Sequence, residues 1–141
     1  MPRRARISTG GLAYHILNRR VGRLGLFDKP ADYMAFEKIL NEAHERTAIR
    51  IAAYCLMPNH WHLLLWAFQI LPVQTDEHFL TVARYVERNA VRAKLVKRAE
   101  QWQWSSLWRW AQGDPKLLAF LSDWPVKRPR QRARHYRGQV Y

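Results

Sequence analysis

The sequence predicts an α+β domain, a small antiparallel sheet with helices packed on one face, from three observations. Two short apolar runs, residues 51–56 and 60–66, are separated only by Met57-Pro58-Asn59, a break too short for a parallel crossover, so they pair as an antiparallel hairpin. Stretches on both sides of the hairpin carry apolar residues at three- and four-residue spacing, the period of an amphipathic helix. The 141 residues suffice for one core and no second module.

In chain order, residues 12–18 have the length and the Tyr, Ile and Leu content of a strand, after the turn signal Gly10-Gly11. Asp28 and Pro30 mark a helix start. Tyr33, Phe36, Leu40 and Ala43 form that helix's apolar stripe, which ends near Thr47. After the hairpin, Thr75, Asp76 and Glu77 suit a helix N-terminus, where an oxygen cap and negative charge meet free amides. Phe79, Val82, Ala83, Val86, Ala90 and Ala93 continue as one stripe to about Lys94. Ser105-Ser106 caps a last short helix carrying Leu107, Trp108 and Trp110, stopped near Gly113. Residues 1–125 hold these elements. Residues 126–141, VKRPRQRARHYRGQVY, contain six Lys or Arg and no acid and read as a solvated basic tail.

Lys and Arg number 24 against 11 Asp and Glu, a net charge of +13, and 18 of the 24 are Arg. Arg forks onto phosphate and stacks on bases, and 7 Trp and 6 Tyr accompany it, so the expected partner is nucleic acid. The longest apolar run, residues 51–57, falls far short of the roughly 18 residues a bilayer span needs, so no span is expected, and nucleic acid fits the charge better than a membrane surface. The basic N-terminus has no apolar h-region and is not read as a secretory signal. The one cysteine, Cys55, excludes a disulfide framework and zinc sites built on cysteine pairs. A reducing cytoplasm is the expected compartment.

His60-Trp61-His62 is the sharpest chemical feature. Side chains alternate along a strand, so the two imidazoles leave the same face and can share a metal ion; the alternative is a structural histidine pair. Tyr85 and Asn89 lie about 40° apart on the second long helix, beside its apolar stripe, where the alternative is a boundary tyrosine that merely packs. His62 stands about 13 Å from its strand end and Tyr85 about 15 Å into its helix, so an antiparallel return over the sheet brings them level. Further basic candidates for DNA contact are Arg3, Arg4 and Arg6 in the N-terminal arm. Arg84, Arg88 and Arg92, at i, i+4 and i+8, either track phosphates or form a solvated face. His15 on the first strand either faces the site or, as the favoured reading, is a strand histidine satisfied by a neighbour; Cys55 reads as inert packing, and Trp102, Trp104, Trp108 and Trp110 mostly as core.

The runs GGLAYHILNRR, AYCLMPNHWHLLLW, LPVQTDEHFLTVARYVERNAVRAKLV and WQWSS resemble those of REP-associated tyrosine transposases, of the single-tyrosine HUH transposase family, over roughly residues 3–125. The resemblance implies a ferredoxin-like HUH endonuclease fold. It implies His60, His62 and Asn89 as ligands of magnesium or manganese, and Tyr85 as the nucleophile. The implied activity is metal-dependent cleavage and strand transfer of single-stranded or hairpin repeat DNA through a 5′-phosphotyrosine, by a monomer or a helix-exchanged homodimer. The chain departs from the family between Trp66 and Leu71. Only residues 67–70 remain where relatives carry a helix and most of a strand, including a GxLxQGRF-like run. It therefore reads as an internally shortened copy, with a catalytically inactive DNA-binding remnant as the alternative.

Overall fold

The computed structural model describes residues 13–47, 49–67, 76–124 and 126–128. Strands β1 (Ala13–Arg19), β2 (Ile49–Met57) and β3 (His60–Ala67) form an antiparallel sheet in the order β1-β3-β2. Pro58 and Asn59 close the expected hairpin, with Met57 opposite His60. β1 and β2 therefore run the same way on either side of β3, and helix α1 (Pro30–Arg46) is the crossover joining them. At its start the Asp32 carboxylate accepts the backbone N–H groups of Asp28 and Lys29 at 2.9 and 3.1 Å, and Pro30 supplies a first turn that needs no donor.

The helices cover both faces of the sheet, which corrects the expectation of one. Leu63-Leu64-Leu65 is a continuous apolar run, and a strand that is apolar in both parities needs cover on both sides. Leu63 joins Tyr54 and Leu56 of β2, Tyr33 and Leu40 of α1, and Phe27 and Phe120 in one core. Leu64 joins Ala53, Cys55 and Met57 of β2 and, from the second helical layer, Phe79, Ala83, Val86 and Ala90 in the other. A β-bulge between Ile51 and Ala53 lets Ile51 change sides and pack in the first core. It also leaves the Ala52 carbonyl to accept the Trp124 indole N–H at 2.8 Å.

The second helical layer is broken where one helix was expected. Helix α2 spans Asp76–Glu87 and helix α3 spans Asn89–Arg92, with Arg88 between them at φ −91°, ψ −1°. The Asn89 side-chain amide donates to the carbonyls of Tyr85 at 2.8 Å and Val86 at 3.3 Å, in competition with the backbone ladder, a recognised cause of helix kinks. The path ends one residue early for the predicted stripe: Lys94 takes φ 59° and Ala93 is exposed. Ala43 of α1 is exposed as well, while Glu37, on the same stripe as Phe36 and Leu40, is buried in its stead.

No described strand pairs with the outer edge of β2; the C-terminal chain satisfies it group by group. The Leu56 N–H donates to Trp104 O at 2.9 Å, the Tyr54 N–H to Ser106 Oγ at 3.0 Å, and the Ser122 N–H to Ile51 O at 2.9 Å. Ser105 caps helix α4 (Ser106–Gln112) by accepting from the Trp108 N–H, and Gly113 ends it at φ 68°, both as the sequence predicts. A further short helix, α5 (Pro115–Leu118), was not anticipated; Asp114 caps it through the Lys116 N–H. Trp102, Trp104 and Trp110 pack against the cores as expected. Val126 packs on the second core, and the Arg128 guanidinium lies between the rings of Trp110 and Trp124, at 3.8 and 4.0 Å from their centroids. The expected Gly10-Gly11 turn, the Thr75 cap, Arg3, Arg4, Arg6, the shortened link 68–75 and residues 129–141 lie outside the described residues. Among the described residues no helix is long and apolar enough to cross a membrane.

Beneath α1 and α4 lies a polar knot. The Tyr54 hydroxyl donates to Glu37 Oε1 at 2.7 Å and accepts from Arg109 Nε at 2.6 Å. Arg109 also donates from Nη2 to Glu37 Oε2 at 2.9 Å and from Nη1 to Leu117 O at 2.7 Å. Arg109→Leu strands the Glu37 carboxylate and is expected to lower unfolding free energy by about 3–5 kcal/mol, read from urea denaturation. Ser105→Ala is expected to cost about 1 kcal/mol through the lost cap.

Candidate active site

Parity along β3 places His60, His62 and Leu64 on the face covered by α2, and Trp61, Leu63 and Leu65 on the face covered by α1. The two imidazoles are buried, with ring centroids 5.0 Å apart. Tyr85, on the last turn of α2, brings its ring edge-on to His62 with centroids 5.7 Å apart. It borders the apolar stripe as expected and is 39 % exposed, so its ring packs while a substrate can still reach it. The Arg92 guanidinium stands over the Tyr85 ring, 4.6 Å from its centroid. Of the three helical arginines Arg92 alone is seen against the tyrosine; Arg84 is exposed and Arg88 half-buried.

The hydrogen-bonding state of each donor suits a cation. Asn59 Oδ1 lies 2.6 Å from His60 Nδ1. An amide oxygen can only accept, so the His60 proton sits on Nδ1 and Nε2 keeps its lone pair. His62 Nδ1 lies 2.9 Å from His15 Nε2, while His62 Nε2 is buried without any hydrogen-bond partner. Asn89 spends its amide N–H groups on the Tyr85 and Val86 carbonyls, which leaves Oδ1 as its acceptor end. Two bare imidazole nitrogens and one amide oxygen are a donor set of intermediate hardness that could hold a divalent cation. Among the described residues no cluster of three or more His, Cys, Asp or Glu could hold a metal ion. Cys55, beside His62 on β2, is buried and its thiol is pushed up to about 12, in keeping with inert packing.

Burial lowers all three imidazoles, and the charge of Arg19, paired with His60 across β1 and β3, lowers His60 further. His62 falls to about 3, first through burial and then through His60, His15, Arg19 and Arg92. The histidines are thus held neutral, the form that binds metal, in surroundings that are otherwise positive. Sequence reasoning missed Asn59, Arg19 and the role of His15. Asn59 was legible as the residue before His60, but Arg19 and His15 depend on β1 pairing with β3, which nothing local announces.

Residues 8–108 match the family model described as IS200-like transposase. Among solved structures, a REP-associated tyrosine transposase bound to a REP hairpin superposes with a TM-score of 0.65 at 16% identity, over 94% of this chain and 96% of that one. At that identity the likeness speaks for the fold, a small antiparallel sheet with helices. No curated protein matches the sequence.

The depressed His62 makes stability depend on pH with a definite sign. Above about pH 6.5 the group is neutral folded and unfolded; as pH falls from there toward about 3 only the unfolded chain takes up the proton, so stability is progressively lost. Urea midpoints measured from about pH 7.5 down to about 5 are expected to fall, and to fall less steeply in His62→Gln. Equal slopes would mean that the folded protein protonates His62 freely.

Proposed function

The chain belongs to the IS200-like transposase family, and from that premise we propose that it cuts and rejoins single-stranded DNA with Tyr85 as nucleophile and a divalent ion held by His60, His62 and Asn89. The observation that carries this reading is the Tyr85 ring standing exposed and edge-on to His62, with Arg92 over it.

His60, His62 and Asn89 would hold a magnesium or manganese ion, which would supply Lewis-acid polarisation of the scissile phosphate and offset charge on its oxygens. The Tyr85 hydroxyl attacks phosphorus, the P–O3′ bond breaks, and the strand on the other side leaves as a 3′-hydroxyl. The phenolic proton passes to solvent and the departing oxygen takes one up. The 5′-phosphotyrosine conserves the phosphodiester bond energy, so a 3′-hydroxyl on another strand can reverse the step without a nucleotide cofactor. Arg92, which stands over the Tyr85 ring, would bind the phosphate beside the tyrosine, and Arg84 and Arg88 would add positive charge along the helix. Arg3, Arg4, Arg6 and the basic tail add affinity for the DNA backbone. The solved relative's REP hairpin supports repeat or hairpin DNA as the substrate.

Tyr85→Phe is expected to keep the fold and to abolish an SDS-stable adduct with a labelled repeat oligonucleotide in manganese, because the ring still packs and only the nucleophile is lost. A wild-type protein that binds the oligonucleotide but forms no adduct would favour the inactive DNA-binding remnant. His60→Ala and His62→Ala are expected to remove cleavage while leaving DNA affinity within a few-fold, since the metal acts on the transition state. With a net charge of +13, DNA binding should weaken steeply as salt rises, and deleting residues 129–141, with their four Arg, should flatten that slope in a filter-binding titration.

A further inference from the structure

His15 is neither a metal ligand nor a nucleophile in the reading above, yet it touches one of each. It lies on β1 two residue pairs along from Leu17–His62, so its side chain shares the α2 face and reaches His62 diagonally. Its Nε2 is 2.9 Å from His62 Nδ1, the two rings stack 5.2 Å apart at 13°, and its ring also meets Tyr85 edge-on at 5.5 Å.

We infer that His15 is a positioning residue that accepts, at Nε2, the hydrogen bond donated by His62 Nδ1–H and thereby keeps His62 Nε2 bare for the metal. The inference rests on the metal-site reading and deepens it. A neutral imidazole has one proton for two nitrogens, and a ligand nitrogen must be the one without it. A proton on His62 Nε2 would be a buried donor with no acceptor, whereas a proton on Nδ1 finds His15. The opposite polarity, His15 donating, would force the His62 proton onto Nε2 and block coordination. His60 shows the same device with an unambiguous acceptor, Asn59 Oδ1. Each ligand therefore has its tautomer set from behind, one by the hairpin turn and one by the neighbouring strand, as metal-binding histidines commonly do. The stack on His62 and the edge contact with Tyr85 make the same ring a spacer between ligand and nucleophile.

The test uses full-length metal-free protein, 15N-labelled on histidine, at neutral pH. Long-range 1H–15N correlation is expected to show His62 protonated at Nδ1 in the wild type and shifted toward Nε2–H in His15→Ala. Manganese binding, read by electron paramagnetic resonance, is expected to weaken about 10- to 100-fold in His15→Ala and to recover in His15→Gln, whose Oε1 can accept the same bond. His15 is otherwise exposed, so alanine there leaves both cores intact. A wild-type His62 protonated at Nε2, or a His15→Ala protein with unchanged tautomer and manganese affinity, would overturn the inference. A wild type that takes up no manganese would overturn the metal site itself, while the tautomer comparison would still decide for or against His15.

Discussion

Because β3 lies between β1 and β2 and between two helical layers, parity along eight residues decides what becomes core and what becomes chemistry. Trp61, Leu63 and Leu65 go to the α1 face. His60, His62 and Leu64 go to the α2 face, with Leu64 anchoring the apolar contact that holds α2 in place. The same helix that buries Phe79, Ala83 and Val86 against the sheet therefore carries Tyr85 to the histidines. A one-residue slip in the β2–β3 register would exchange the faces and send both imidazoles into the α1 core.

The sheet is small, so its far edge has to be finished by other means. Residues 102–106 and 121–122 supply the missing partners of β2, and Ser105 and Ser106 divide the work: one hydroxyl caps α4, the other bonds the strand. Glu37, Tyr54 and Arg109 then tie α1, β2 and α4 together through four hydrogen bonds, including the one to Leu117. The charges are almost wholly out of solvent, which makes the knot costly to break. Against Arg109 and Glu37, Tyr54 is itself a buried phenol whose ionisation burial pushes well above its ordinary range.

The site combines neutral imidazoles with positive charge. Burial keeps the imidazoles unprotonated, while Arg19 and Arg92 come from two different elements and both bear on His62. Neither arginine needs to titrate, so fixed positive charge stands beside neutral imidazoles at the same pH. The Asn89 side chain links this chemistry to backbone geometry, since the bonds that orient its amide also accompany the break between α2 and α3.

The sequence by itself determined the α+β class, the hairpin, the caps at Ser105 and Gly113, the shared face of His60 and His62 and the placement of Tyr85 beside its apolar stripe. These follow from local periodicity, turn chemistry and strand parity, which short stretches carry in full. Tertiary structure decided the rest. The Leu63-Leu64-Leu65 run signalled burial but not that helices would lie on both sides. The burial of Glu37 depends on Arg109, a partner remote in sequence, and Ala93 looked like core because the break around Arg88 and the left-handed turn at Lys94 are invisible to a 3.6-residue period. His15 and Arg19 reached the site only when β1 paired with β3, since register between distant strands depends on long-range packing that no single segment of the chain encodes.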